Sequence, residues 1–224
     1  MDWDFLPQYA PVLLTATLTT VQLSILSLLG GGAIGLLIAL ARVLGGPWTN
    51  KSLSVVVDVL RGTPLLVQIL VWYLGSGALN IPLDPFTASV TALSVNAGAF
   101  ISEIIRGAVL AVPRGQREAS LSVGLSATYS VLAIELPQAM PAIVPALVGF
   151  YIGLIKDTSL AYVVGLLELT RTGAFIANQE FRPLETYLAV AAIYFALCFP
   201  VSRVGMLLDR RLRRTGISQE RLFV

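Results

Sequence analysis

Four consecutive polar residues interrupt a long apolar stretch in the second half of the chain: Lys156, Asp157, Thr158 and Ser159. An ionised side chain within a membrane is costly, so such residues face protein or water and mark a binding site or pathway. The Asp157 carboxylate can accept hydrogen bonds, whereas Lys156 and the two hydroxyl groups can donate them. Adjacent helical residues point about 100° apart, so either the two charges have different partners or the helix opens here. A structural ion pair between two subunits is the alternative interpretation.

A proline interrupts the second apolar segment close to an arginine. Pro64 removes a helical hydrogen bond and Gly62 loosens the preceding turn, so we expect a kink at this point. On a helix that continues through the kink, four side chains share one face: Arg61, Leu65, Gln68 and Trp72. A cationic side chain at the bilayer centre costs roughly 2.5–3.5 kcal/mol on insertion scales, so Arg61 should reach towards the interface or form a pair.

The third apolar segment carries Asn96 and Glu103 on one stripe, together with Phe100 and Gly107. Glu103 is also three residues from Arg106, a spacing at which the two charges can neutralise each other on a helix. Two interpretations of Glu103 therefore remain open, an ion pair at the membrane rim and a role in gating.

The elements that must position these residues are membrane spans. The 224 residues are 56% hydrophobic and only 12% charged, with a mean hydropathy of +0.80, whereas soluble domains average about 25% charged residues. A helix needs about 20 apolar residues to cross the hydrocarbon core. Five segments meet this length, at roughly 14–41, 53–76, 86–111, 139–165 and 186–208. The sequence predicts one all-α integral membrane domain over residues 1–224.

The composition also argues against several kinds of chemistry. The chain has no histidine, and its single cysteine, Cys198, lies in an apolar run, so we expect neither metal sites nor thiol chemistry. No Gly-rich phosphate loop with its Lys-Ser/Thr is present, so the chain should bind no ATP of its own. Few residues remain beside the spans, so we predict a subunit that is not an enzyme and holds no cofactor.

Basic residues concentrate in alternate connections. The first connection contains Arg42 and Lys51, the third contains Arg114 and Arg117, and the second, from 75 to 85, contains none. The C-terminal region carries a basic cluster of Arg210, Arg211, Arg213 and Arg214. By the positive-inside rule the N-terminus is outside, and the third connection and the C-terminus are cytoplasmic. The cluster could also bind anionic membrane lipid.

The third connection, about 112–138, has a patterned spacing. It reads Glu-Ala-Ser at 118–120, Gly124 after three residues, and Ile-Glu-Leu-Pro at 134–137 after nine more. We expect a short amphipathic helix that ends at Gly124 and a second helix from about 126 to 135 that stops before Pro137. Glu118 and Glu135 would then be polar contacts to a soluble partner.

This pattern resembles the EAA loop of the permease subunits of ABC importers, with Ser120 in place of the commonest alanine. The run Arg-Gly-Thr-Pro-Leu-Leu-Val-Gln at 61–68 resembles the signature of their polar amino-acid branch. The resemblance assigns coupling to an ATPase to seven residues: Glu118, Ala119, Ser120, Gly124, Ile134, Leu136 and Pro137. It implies the type I importer permease fold, with five transmembrane helices and cytoplasmic coupling helices in the bacterial plasma (inner) membrane.

The resemblance also implies partners and a substrate class. The partners are a cytoplasmic ABC ATPase dimer that binds ATP and Mg²⁺, an extracytoplasmic amino-acid-binding protein, and a second permease copy or a paralogue; no nucleic acid is involved. An amino acid is a zwitterion, so Asp157 could accept its ammonium group while Lys156, Thr158, Ser159 and backbone amides donate to its carboxylate. Arg61, Gln68, Asn96 and Glu103 complete the candidate substrate pathway.

The alternative function is an ion-gradient-driven secondary transporter of small polar solutes. Such proteins usually contain paired internal repeats and midplane acidic residues. Asp157 and Glu103 could serve, but the sequence shows no clear repeat, and the patterned connection would have no explanation. The identity of the amino acid and the choice between homodimer and heterodimer stay open.

Overall fold

The computed structural model describes residues 3–214, and its regular structure there is entirely helical. Both ends of the predicted domain, residues 1–2 and 215–224, lie outside the described part, as do the side chains of Arg213 and Arg214. The helices are α1 (Leu6–Leu44), α2 (Pro47–Gly62), α3 (Leu65–Ala78), α4 (Pro85–Leu110), α5 (Arg114–Ser122), α6 (Ala127–Tyr129), α7 (Leu136–Asp157), α8 (Leu169–Glu180) and α9 (Pro183–Arg214). A π segment (Ser130–Glu135) joins α6 to α7, and a 3₁₀ segment (Thr158–Val164) follows α7.

Within residues 3–214, four continuous helical stretches are long and apolar enough to cross a membrane: Leu6–Leu44, Pro85–Leu110, Ala127–Val164 and Pro183–Leu212. The pair α2 and α3 meets the same criterion only when its members are counted together, which gives up to five spans. Helix α1 has 39 residues, or about 58 Å at the helical rise, so it extends beyond the hydrocarbon core at one or both ends.

The second apolar segment is broken, not kinked. Helix α2 ends at Gly62 and α3 begins at Leu65, with an angle of 102° between them. Thr63 has extended backbone angles, as expected for the residue before a proline, where the helical conformation is disfavoured. The expectation of one helix face shared by Arg61 and Gln68 is therefore wrong, because Arg61 lies at the end of α2 and Gln68 on α3.

Helices α1 and α4 form the most extensive helix pair of the fold. Glycines allow the close approach, because a Cβ on Gly31 would lie 2.6 Å from the Ala97 Cβ, and one on Gly98 would lie 2.5 Å from the Ile34 side chain. The main apolar core includes Leu23, Leu93 and Ile101 at this contact, with Ile143 and Leu154 of α7 packed alongside. This pair is the scaffold on which the other helices are placed.

Substitution of Gly35 by alanine tests the α1–α4 contact. The new Cβ would lie 2.8 Å from the Ile101 Cβ and 2.9 Å from the Gly98 carbonyl oxygen, so we expect a loss of about 1–3 kcal/mol of stability from overpacking. Thermal unfolding of the purified protein in detergent would show it as a lower midpoint. Gly32→Ala is the matched control, since its Cβ would meet nothing within 4 Å; an equal drop in both variants would contradict the assignment.

Helix α8 lies within the connection 166–185, which the apolar pattern does not identify as helical. The buried Glu168 caps it, accepting hydrogen bonds from the backbone N–H groups of Thr170 (2.8 Å) and Arg171 (2.7 Å). Burial raises the pKa of the Glu168 carboxyl, against the opposing effect of these hydrogen bonds. Thr20 of α1 accepts a bond from the Leu169 N–H and Tyr194 of α9 donates to Glu168, so this cap ties three helices together.

Candidate functional site

A buried pair of amides closes the break between α2 and α3. The Gln68 amide nitrogen donates to the Leu60 carbonyl oxygen at 2.7 Å and to the Thr63 hydroxyl at 2.8 Å. The Asn96 amide donates to the same Leu60 oxygen and to the Gln68 side-chain oxygen, both at 3.2 Å. The two side chains replace helical hydrogen bonds that the break removes, as a non-helical backbone at membrane depth requires. Gln68 and Asn96 thus fix the geometry of the bend, and direct contact with substrate remains a prediction.

The break between α2 and α3 also places Arg61 beside a pair of stacked aromatic rings. The exposed Arg61 guanidinium carbon lies 5.1 Å from the centre of the Phe100 ring, within the range of a cation–π contact. The Phe100 ring in turn stacks on Phe150 of α7, with 5.9 Å between ring centres. Three helices, α2, α4 and α7, therefore converge on one row of side chains with a positive charge at its end. The sequence stripe identified Phe100, whereas nothing in the spacing pointed to Phe150.

Lys156 and Asp157 are the last residues of α7, and both side chains are exposed. Within residues 3–214 they form neither a salt bridge with each other nor a hydrogen bond through their side chains. The chain continues directly after them in the tighter 3₁₀ geometry, so the span does not open at this point, and separate partners for the two charges remain a prediction. Phe150 and Asp157 lie two helical turns apart and so on nearly the same face of α7.

The two hydroxyl residues that follow differ in accessibility. Thr158 is fully buried, and its hydroxyl donates to the Ile155 carbonyl oxygen at 2.6 Å. Its proton is therefore committed to the backbone and is not available to a ligand. Ser159 is only partly buried, so it is the better candidate for a donor beside Asp157.

Glu103 lies in a network of charges separate from these groups. It pairs with Arg42 of α1, and it accepts a bond from Arg106 at 2.8 Å. Arg42 is itself buried and also donates to Asn50 of α2 at 3.2 Å. The ion pair expected from the Glu103–Arg106 spacing is present, and Arg42 extends it to three helices. A gating role for Glu103 remains a prediction.

The patterned connection begins with a helix that ends as expected. Helix α5 stops at Ser122, and Gly124 adopts the left-handed conformation with φ = +84°. The Gly124 N–H donates to the Leu121 carbonyl oxygen (3.0 Å), and the Leu125 N–H donates to the Ser120 carbonyl oxygen (3.2 Å). These two hydrogen bonds satisfy backbone carbonyl groups at the end of the helix. Glu118 and Ala119 are exposed on α5. They are accessible to a partner.

The rest of the connection departs from expectation. Helix α6 begins at Ala127 and continues through the π segment into α7, so no helix ends before Pro137. The Leu136 N–H bonds to the Val131 carbonyl five residues earlier. This wider turn rearranges the backbone just before Pro137, where an α-helix would suffer a clash and a lost hydrogen bond. Pro137 itself is exposed, and Ile134 and Leu136 are partly buried.

Two residues expected at the docking surface face inward. Glu135 is 5% exposed and Ser120 is 4% exposed, so Glu135 is not an accessible polar contact and that expectation is wrong. Sequence spacing missed this because Glu118 and Glu135 look equivalent when both are placed on exposed amphipathic helices.

Comparisons with known proteins agree with this architecture. Residues 31–214 match the family described as "binding-protein-dependent transport system inner membrane component". The glutamine transport system permease protein GlnP of Escherichia coli (strain K12) is 40% identical over 214 residues, which cover 95% of this chain and 98% of the relative. The L-cystine transport system permease protein TcyB of Bacillus subtilis (strain 168) is 39% identical over 216 residues, covering 96% of this chain and 92% of that protein.

Solved structures show the same fold. A chain of a structure described as an amino acid ABC transporter with histidines superposes with a TM-score of 0.86 at 34% identity, covering 94% of this chain and 99% of that one. An inward-facing MetNI methionine ABC transporter superposes with a TM-score of 0.82 at 20% identity, covering 92% and 98%. The predicted all-α fold of a type I importer permease is confirmed.

The family match also decides between the two predicted functions. The chain is a transport subunit of the multi-pass inner-membrane type and is not an enzyme, since ATP hydrolysis in these systems belongs to separate subunits. The alternative of an ion-gradient-driven secondary transporter finds no support. The chain belongs to the family of binding-protein-dependent transport system inner membrane components.

Proposed function

We propose that this permease imports polar amino acids and that the end of α7 recognises the part common to all of them. The observation that carries the proposal is the pair of exposed, opposite charges at Lys156 and Asp157, which form no salt bridge and no side-chain hydrogen bond in the described part of the chain. The Asp157 carboxylate suits a substrate ammonium group, and Lys156 with Ser159 suits a carboxylate.

The similar proteins support recognition of this common part. Their names refer to glutamine, to cystine and to histidines, amino acids with quite different side chains. A shared site can therefore address only the α-ammonium and α-carboxylate groups, and the choice of side chain would rest with a separate binding protein. Arg61, at the end of the Phe100–Phe150 stack, lies on the same proposed pathway with Gln68, Asn96 and Glu103.

The proposed orientation places the coupling element in the cytoplasm. Arg114 and Arg117 lie in α5, and Arg210 and Arg211 lie at the end of α9. By the positive-inside rule, both of these basic segments are expected on the cytoplasmic side. In this orientation the N-terminus is outside. A cytoplasmic ATPase dimer, with ATP and Mg²⁺ bound, would contact α5 through Glu118 and Ala119, and two permease subunits would enclose the pathway.

Uptake into right-side-out membrane vesicles or proteoliposomes with ATP in the lumen and the binding protein outside tests the proposed energy source and substrate together. We expect accumulation of radiolabelled L-glutamine or L-cystine to require ATP and the binding protein and to survive ionophores that collapse ion gradients. Affinity capture in mild detergent should recover an ATPase, and a second permease in the eluate would indicate a heterodimer. Uptake that needs an ion gradient and ignores ATP would refute the proposal.

A further inference from the structure

Three buried polar side chains connect α5 to the beginning of α7. The Ser120 hydroxyl donates to the Ser130 hydroxyl at 2.6 Å, and Ser130 donates to a Glu135 carboxylate oxygen at 3.0 Å. Ser130 is fully buried and the other two are at most 5% exposed, although Ser122 and Glu118 beside them are exposed. The Arg117 side chain lies 3.9 Å from the same Glu135 oxygen. A buried carboxylate with these partners holds its neighbours in a defined position.

The π segment is what brings Ser130 to Glu135. In an α-helix two residues five positions apart point about 140° away from each other, so their side chains could not meet. In π geometry the hydrogen bonds run between residues five apart, and the wider turn brings the side chains of such residues closer together around the helix axis than an α-helix does. Ser130 and Glu135 are the first and last residues of this segment. The π segment therefore accommodates Pro137 and also allows the buried hydrogen bond between Ser130 and Glu135.

The position of this contact matters for transmission of movement. Beyond α5 the chain turns at Gly124, where an added Cβ would meet nothing within 4 Å, so side-chain packing at this turn does not hold α5 against the rest of the chain. Helix α7 continues from the contact for 22 residues to Asp157, about 33 Å at the helical rise. One end of α7 is thus connected to α5 by the buried hydrogen bonds of Ser130 and Glu135, and its other end carries the proposed substrate-binding charges.

We propose that Glu135 is a positioning residue that, with Ser130 and the π segment, locks α5 to α7 so that movement of the ATPase is passed along α7 to the substrate site. This inference rests on the proposed function of α5 as the coupling helix. Glu135 does not contact the ATPase in this mechanism. Its removal should leave docking intact and separate ATP hydrolysis from transport.

The test measures substrate molecules imported per ATP hydrolysed in proteoliposomes that contain the complete transporter and its binding protein. The probe is radiolabelled L-glutamine or L-cystine, whichever the unaltered transporter imports. Glu135→Ala is expected to lower this ratio at least tenfold while the ATPase still co-purifies. Glu135→Gln keeps an oxygen acceptor for Ser130 and should stay within about twofold of the unaltered ratio. Ser52→Ala, at an exposed serine on α2 and away from the proposed docking helix, is the control and should have no effect.

Other outcomes would overturn the inference. Equal losses of uptake and hydrolysis in Glu135→Ala, with an unchanged ratio, would show that Glu135 only supports folding. Loss of the ATPase from the purified complex would show a role in docking. If the Glu135→Ala protein does not accumulate in the membrane, Ser130→Ala is tested instead. A normal ratio of imported substrate to hydrolysed ATP in that variant would refute the proposed link between α5 and α7. Failure of the unaltered protein to bind an ATPase would instead refute the proposed function.

Discussion

Replacement of Asp157 by alanine is expected to lower amino-acid uptake about tenfold to a hundredfold while the transporter stays assembled. A hydrogen bond to a charged group contributes about 1.5–3 kcal/mol, and each 1.4 kcal/mol corresponds to about a factor of ten in affinity. The side chain is exposed at the end of α7 and has no salt bridge in the described part of the chain, so its loss should remove a ligand contact without unfolding. Initial uptake rates across a range of substrate concentrations would measure the effect.

The Asp157→Asn variant distinguishes the effect of the negative charge on uptake from the effect of side-chain shape. Asp157→Asn keeps the size of the side chain and removes its negative charge, so we expect a loss similar to that of alanine. Glu185→Gln makes the same chemical change in the first turn of α9 and serves as the control. Normal uptake by both Asp157 variants would place the ammonium site elsewhere, and loss of ATPase co-purification would indicate a structural role for Asp157.

The spans and the coupling motif were predictable because their signals are local. Each apolar segment is long enough to identify a helix by itself, and four of the five predicted spans overlap a continuous helical stretch. The left-handed Gly124 followed from the preference of glycine for that conformation at a helix end. These properties depend on neighbouring residues in the chain, so a single sequence contains the necessary information.

The features that could not be predicted depend on residues far apart in the chain. The sequence pointed to a kink at Pro64, but a 102° break is tolerable only because Asn96, on another helix, bonds to the freed Leu60 carbonyl. Arg42 likewise meets Glu103 across 61 positions, and no periodicity within one helix reveals such a pair. Sequence spacing alone gives each side chain a direction but not the helix that it meets.

The same reasoning explains the error at Glu135. Helical periodicity assumes about 100° per residue, and on that assumption Glu135 points away from Ser130 and towards a partner. The π segment changes the angle and buries the carboxylate. The available signal in the sequence is Pro137, two residues after Glu135, because a proline can cause a wider turn within a helix as well as end one.

Proline at position 124 is expected to abolish association with the ATPase while the permease remains in the membrane. Gly124 has φ = +84°, whereas proline is held near −65° and has no N–H to bond to Leu121. The end of α5 would have to refold, since proline is destabilising where φ is far from −65° and the N–H was hydrogen-bonded, and the exposed Glu118 and Ala119 would lose their placement. Co-purification of the ATPase from detergent-solubilised membranes, normalised to the amount of permease, measures the effect.

Two further variants distinguish backbone geometry from surface chemistry. Asparagine tolerates the left-handed conformation better than other non-glycine residues, and a Cβ at position 124 would meet nothing within 4 Å, so Gly124→Asn should retain most of the association. Glu118→Lys leaves the backbone of α5 unchanged and reverses an exposed charge, and it should also abolish binding if α5 is the docking surface. Normal co-purification with both Gly124→Pro and Glu118→Lys would exclude α5 as the coupling helix, because neither its shape nor its charge would then matter to the ATPase.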